Sequence, residues 1–306
     1  MTGLHSKRIG LLTVRGMDYP PTRRLSEAAE PRGCRIVAIN PYTVWPVFEE
    51  GRPALAGDPE VPALDAAMPR QGAEIRDASL PLIGHLAQMG VPVINSRAAV
   101  ERARNKFFTL QSLVAARLPV VDTVFVSAPE GLPYALDRFK ADGAVVKPIS
   151  GRQGAGICRM APGDPLPPDL RAELDNRRGV LVQRFIPPEG RQDLRVLIIG
   201  GRLTAAMGLQ PAAGDFRANI HLGGRGHLVE LPPATVSIAR RAAFALDLEI
   251  AGVDLMVDAH GGVFVNEVNY TPGFRGLEAA TGKDIAAAMI DYVLGVIQDK
   301  WRVSGA

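Results

Sequence analysis

Asp254, Glu267 and Asn269 supply side-chain oxygens to the segment Gly252-Val-Asp-Leu-Met-Val-Asp-Ala-His-Gly-Gly-Val-Phe-Val-Asn-Glu-Val-Asn269. Alternating apolar residues on either side of His260-Gly261-Gly262 predict two strands joined by a turn. A tight hairpin with a two- or four-residue loop pairs residues whose numbers sum to 521, which sets Asp254 opposite Glu267. Asn269, two residues further on, shares their face. Carboxylates directly opposed in this way repel by roughly a few tenths to 1 kcal/mol. A divalent cation between them removes that penalty. Two carboxylates and an amide form an all-oxygen set suited to Mg²⁺, or to Mn²⁺. A solvated outer face of a hairpin is the plain alternative.

Two further segments carry chemistry. Ser150, Gly151, Gln153, Gly154 and Gly156 form a glycine-rich loop just after Lys147. The loop lies between two predicted strands, so neither a dinucleotide-binding fingerprint nor a P-loop fits, since both need a helix after the glycines. A glycine flap between antiparallel strands can lay its N–H groups over phosphates. Lys147 would add a point charge there. The second segment is Gly214-Asp-Phe-Arg-Ala-Asn-Ile-His-Leu-Gly-Gly224. Arg217 and Asn219 share a face of an extended chain, and a guanidinium beside an amide suits a phosphate oxygen or a developing anion. The alternatives are an ordinary glycine turn with a surface lysine, and a polar loop with a solvated arginine.

The elements that must position these groups follow from periodicity. Arg8–Val14, a helix over Thr22–Glu30 and a strand over Cys34–Ile39 predict a right-handed parallel crossover. Residues 51–72, rich in Gly, Pro and Asp, are expected to be a surface excursion. Helices are predicted over Ala78–Met89 and, as one piece, over Ala98–Arg117. Strands over Val120–Val126, Gly143–Ile149 and Ile157–Met160 alternate with helices over Leu132–Lys140 and Asp169–Asn176. A β-rich region then runs from Val180, with a two-residue turn at Gly200-Gly201. Helices over Ala234–Leu246 and Asp284–Gln298 complete the chain.

Composition bounds the function. The 306 residues are 47% hydrophobic and 22% charged, as in ordinary globular proteins, and suffice for two or three domains. A net charge of +3 without a basic run gives no reason to expect nucleic-acid or membrane partners. The apolar run Ile9–Val14 is too short for a signal-peptide core. Cys34 and Cys158, far apart and without metal-ligand spacing, suggest a reducing, cytoplasmic setting.

In order along the chain, Arg104-Asn-Lys-Phe-Phe-Thr-Leu-Gln-Ser-Leu113, Val146-Lys-Pro-Ile-Ser-Gly-Arg-Gln-Gly-Ala-Gly156, Val182-Gln-Arg-Phe-Ile186, Asp193-Leu-Arg195, Gly214–Asn219, Ala251-Gly-Val-Asp254 and Asn266-Glu-Val-Asn-Tyr-Thr-Pro-Gly-Phe274 resemble the ATP-grasp superfamily, and within it the RimK-like glutamate ligases. The resemblance implies a mixed α/β (α+β) fold: an N-terminal α/β pre-ATP-grasp domain (1–97), a central lid domain (98–182) and a C-terminal, mainly antiparallel β domain with the metal site (183–306). It implies that Lys106 and Lys147 contact the ATP phosphates and that Ser150–Gly156 fold over them. Gln183, Arg184, Phe185 and Ile186 would frame the adenine, and Asp193 would hold the ribose. Arg217 and Asn219 would lie at the transferred phosphate, while Asp254, Glu267 and Asn269 would hold two Mg²⁺ ions sharing Glu267.

The implied reaction activates a carboxylate with ATP to an acyl phosphate. An amine, glutamate or another amino acid, then displaces the phosphate to give an amide. A nucleotide-binding regulatory module of the synapsin kind and a small-polyol kinase are competing readings on the same fold. Homo-oligomerisation stays open. Three departures stand out. Arg184 replaces the usual hinge acid, Met207-Gly-Leu-Gln-Pro211 stands where arginine is often found, and Asn105 precedes Lys106 in place of Asp. They point to substrates that need not match those of known relatives.

Overall fold

The computed structural model describes residues 6–70, 79–151, 156–212, 217 and 224–304. Near the N-terminus, β1 (Lys7–Leu12), α1 (Pro20–Ala29) and β2 (Cys34–Ile39) make the expected parallel crossover. The hairpin of β3 (Val44–Glu49) and β4 (Arg52–Gly57) follows, and then β5 (Ala66–Pro69) returns to the sheet in the order β2-β1-β5. The expectation of a surface excursion over residues 51–72 is thus corrected for Ala66–Pro69, a buried strand of the sheet, while residues 71 and 72 lie outside the described residues. Pro46 and Pro53 are tolerated because a two-stranded ribbon is all edge, where a missing N–H costs no ladder bond.

Helix α2 (Ser79–Gln88) leads to Asn95, where the domains are stitched together. Its buried amide donates to Ile250 O and Tyr270 O and accepts from Glu249 N and Ile250 N, all at 2.8–2.9 Å. Four bonds satisfy the whole amide, which is the condition for burying it without penalty.

The single helix expected over Ala98–Arg117 is two, α3 (Arg97–Arg104) and α4 (Lys106–Ala115). Asn105 breaks the run. Its backbone is extended, and its side-chain oxygen accepts from Phe107 N and Phe108 N as the N-cap of α4. The departure from Asp at this position therefore keeps a capping residue.

A four-stranded antiparallel sheet follows in the order β6-β9-β7-β8, from β6 (Thr123–Val126), β7 (Ala144–Pro148), β8 (Cys158–Met160) and β9 (Val180–Arg184). It is covered by α5 (Leu132–Arg138) and α6 (Pro168–Asp175). Val126, Leu136, Phe139, Val146, Leu170, Leu174 and Val182 give this unit a core of its own.

The third sheet is five-stranded and antiparallel, in the order β12-β11-β10-β13-β14. It comprises β10 (Gln192–Ile199), β11 (Arg202–Gln210), β12 (Arg225–Leu228), β13 (Ile250–Val257) and β14 (Val263–Asn269). Gly200 and Gly201 turn β10 into β11 with φ of 54° and 71°, values that suit glycine at a two-residue turn. Helix α7 (Pro233–Ala245) packs on this sheet. The short α8 (Arg275–Thr281) and the long α9 (Ile285–Ser304) close the chain. Their buried residues Leu277, Met289 and Ile290 share one core with Ile9, Leu11 and Leu25 of the N-terminal unit. Among the described residues, no helix is long and apolar enough to cross a membrane.

Candidate active site

The β13–β14 hairpin places Asp254 opposite Glu267, and Gly252 opposite Asn269. It does so by a route other than a tight loop. Nearest the turn, Val257 pairs with Val263 across a five-residue loop, and Leu255 pairs with Val265. In that register Asp254 would face Asn266. A β-bulge between Asp254 and Leu255 moves the pairing on by one and brings Glu267 across. The bulge also lets consecutive residues, Asn266 and Glu267, line the same cavity, which regular alternation forbids. Asp258 holds the turn by accepting from His260 N and Gly262 N at 2.9 and 2.8 Å.

That cavity is a cleft of about 1370 Å³ lined by residues of the four-stranded and five-stranded sheets, with α1 and two loops of the N-terminal unit at its side. Lys106, Lys147, Ser150, Gly151, Gln183, Arg184, Phe185, Ile186, Asp193, Arg217, Asp254, Glu267 and Asn269 all reach it. Of the residues expected at the site, Gln153, Gly154 and Asn219 lie outside the described residues. Gly156 sits beside Pro148 at the far end of the loop, with φ of 69°.

Lys106 begins α4. Its Nζ lies 3.4 Å from Glu267 Oε1 and donates to Gly151 O at 3.1 Å, so it ties the flap to the hairpin. Its N–H donates to Ile149 O. Lys147 is buried on β7. Burial, then the Lys106 ammonium, pull its pKa down to about 8, against the opposing pull of Glu267. Burial works to raise the Glu267 carboxyl, yet Lys106, Lys147 and Arg195 outweigh it and hold the group below its usual range.

Asp254 is clamped by Arg195 from the neighbouring strand, with Nε–Oδ1 and Nη2–Oδ2 both at 2.8 Å. This fork-to-fork pair holds the guanidinium pKa above its ordinary value. Asp193, two residues earlier on β10, accepts from Arg191, and Arg191 also donates to Ile186 O at 2.7 Å. Burial raises the Asp193 carboxyl in spite of Arg191.

At the hinge, the Gln183 amide donates to Thr123 Oγ1, and the N–H groups of Arg184 and Phe185 are spent on Asp122 O and Gly143 O. Arg184 pairs with Asp122 at 3.4 Å, and the Arg159 guanidinium lies 4.3 Å over the Phe185 ring.

Sequence reasoning assigned no role to Arg195, Asn266, Arg15 or Arg70, which also line the cleft. The signal for Arg195 was available, since it is two residues from Asp193 on one strand and so faces the same way. Arg15 and Arg70 come from loops of the N-terminal unit, and no local pattern marks them. Where arginine is often found in the resembling family, Met207 and Leu209 present buried apolar side chains to the cleft.

The donors fit a hard divalent cation. Two carboxylates and an amide face one another, and at present Arg195 and Lys106 supply the positive charge that an ion would bring.

Comparison with known proteins identifies the family. The family model of the RimK-like ATP-grasp domain matches residues 103–293, and that of the RimK PreATP-grasp domain matches residues 8–100. A probable alpha-L-glutamate ligase 2 of Shewanella baltica is 34% identical over 94% of this chain and 95% of the relative. A probable alpha-L-glutamate ligase of Chromohalobacter salexigens is 34% identical over 93% and 94%. Among solved structures, the ATP-grasp ligase PsnB complexed with its minimal precursor superposes with a TM-score of 0.74 at 21% identity, covering 95% of this chain and 99% of that one. A RimK domain ATP-grasp protein from Sphaerobacter thermophilus gives 0.68 at 24% identity, covering 94% and 99%. The chain is therefore an ATP-grasp ligase and belongs to the RimK-like ATP-grasp family.

Proposed function

We propose that the protein uses ATP and Mg²⁺ to join a carboxylate to an amine through an acyl phosphate, releasing ADP and phosphate. The observation that carries this reading is the opposition of Asp254 and Glu267, with Asn269 beside them, in one cleft with Lys106 and Lys147. Phosphoryl transfer asks little covalent work of a protein and much positioning and charge neutralisation. Mg²⁺, when bound, neutralises the phosphate oxygens and orients them. Lys106 and Lys147 take the remaining charge. Ile186 has the hinge N–H left without a protein partner among the described residues, so we assign it to the base edge of the nucleotide. We assign Arg217, which reaches the cleft, to the transferred phosphate; Asn219, Gln153 and Gly154 keep the roles that the family resemblance implies, beside that phosphate and in a loop that keeps water from an acyl phosphate.

The named relatives make glutamate the first amine to test, and the precursor-bound neighbours make a peptide the first alternative acceptor. Two free cysteines suit a cytoplasmic setting. ADP release with Mg-ATP should be measured over a matrix of carboxylate and amine pairs, with free amino acids and short peptides in both roles. Turnover should need both partners, and Asp254→Ala and Glu267→Ala should abolish it while leaving the circular-dichroism spectrum unchanged. Full activity in either variant would remove the metal assignment. ADP release with no pair would leave a nucleotide-binding module.

A further inference from the structure

The carboxylate of Asp254 is occupied. Arg195 holds both of its oxygens at 2.8 Å from the adjacent strand, and the two residues are register partners on β10 and β13, so the backbone register brings the two side chains together. Both side chains are largely buried, at 18% and 16% exposure, so solvent screens the pair little. Glu267 is less firmly held: its ion-pair partner is Lys106 at 3.4 Å, with Lys147 and Arg195 acting from further away. The two opposed carboxylates therefore have different counter-cations. One is a single ammonium on a flexible stem, and the other is a planar fork held by two bonds at 2.8 Å.

We infer that Arg195 is a positioning residue that stands in for the metal at Asp254 and sets the order in which the site fills. The inference rests on the proposed metal role of Asp254 and Glu267. With both Asp254 oxygens already paired and a fixed positive charge against them, a bare divalent ion meets electrostatic opposition and a carboxylate with only its outer lone pairs to offer. A nucleotide brings the compensating negative charge. The protein thus takes up metal as the nucleotide complex and keeps little of it otherwise. Arg195 meanwhile holds the carboxylate plane in one orientation, ready for that complex.

The sign of one measurement separates this role from a merely structural one. Mn²⁺ binding to the nucleotide-free protein is followed by electron paramagnetic resonance for the native chain and for Arg195→Met, Arg195→Gln and Arg195→Lys. Removing the fixed charge should tighten Mn²⁺ binding at least tenfold in Arg195→Met and Arg195→Gln. Arg195→Lys, which keeps the charge, should stay within threefold of the native chain. A residue that only supports the fold would give weaker binding on removal, so Mn²⁺ affinity that is unchanged or lower in a folded Arg195→Gln protein overturns the inference. Glu267→Gln provides the separate control. If it leaves Mn²⁺ binding unaltered with a non-hydrolysable ATP analogue present, the metal assignment itself fails, whatever Arg195 does.

Discussion

At the scale of single residues, the cleft puts unlike demands on its two lysines. Lys106 sits between a carboxylate and a carbonyl oxygen. Lys147 is buried, and burial together with Lys106 brings its pKa to about 8, below the ordinary 10.5. Between these values the folded, nucleotide-free protein carries fewer protons at Lys147 than the unfolded chain does. The cost of burying that charge is thus fully present below about pH 8 and is relieved as pH rises toward the unfolded value. Nucleotide acts in the opposite direction, because phosphate oxygens favour the ammonium. Calorimetry of nucleotide binding near pH 8.5, in buffers of differing ionisation enthalpy, should show uptake of up to about three-quarters of a proton, and affinity should weaken as pH climbs past about 8. Lys147→Met should weaken binding and abolish the uptake. Uptake that survives in that variant would assign the proton to another group.

At the scale of elements, what the sequence made legible was what periodicity and turn chemistry encode. The parallel crossover, the Gly200-Gly201 turn and the opposition of Asp254 to Glu267 were all readable. The means of that opposition was not, because a bulge leaves the apolar alternation nearly intact and shows only in pairing. The β3–β4 ribbon was hidden by its prolines and glycines, which normally argue against strands but are harmless at an edge. The break between α3 and α4 was hidden for another reason. Asn105 looks like one unremarkable polar residue in a helical run, and only its extended backbone shows it to be a cap. That cap has a consequence for the site, since Lys106 is the first residue of α4. Asn105→Ala should cost about 1 kcal/mol in urea unfolding and raise the KM for ATP by loosening the first turn. Asn105→Asp should restore both, because a carboxylate caps equally well and favours a helix N-terminus. An Asn105→Ala protein with native KM would uncouple the cap from the nucleotide.

At the scale of the whole molecule, the N-terminal and C-terminal units are joined more tightly than either is to the lid. Ile9, Leu11 and Leu25 belong to the same core as Met289 and Ile290, whereas the lid closes around its own core. The surface pairs Arg24–Asp284 and Arg32–Asp291 also bridge the two ends of the chain, but exposed pairs of this kind are worth little. Asn95 is the polar counterpart of the shared core. It reaches from the end of the N-terminal unit to the first residue of β13 and to Tyr270, one residue beyond Asn269. Truncating it strands two N–H groups and two carbonyls in the interior, each of which costs about 1–3 kcal/mol when left unsatisfied. Asn95→Ala should therefore lower the unfolding free energy by roughly 3 kcal/mol or more, a large share of a domain's total. Because Tyr270 adjoins a proposed metal ligand, the same variant should also raise the Mg²⁺ concentration needed for half-maximal turnover, measured at a temperature where it remains folded. Asn95→Asp separates the two effects, since it keeps both acceptor bonds but loses both donor bonds, to Ile250 O and Tyr270 O. Native Mg²⁺ dependence in a destabilised Asn95→Asp protein would mean that the stitch stabilises the molecule without setting the geometry of the proposed metal ligands.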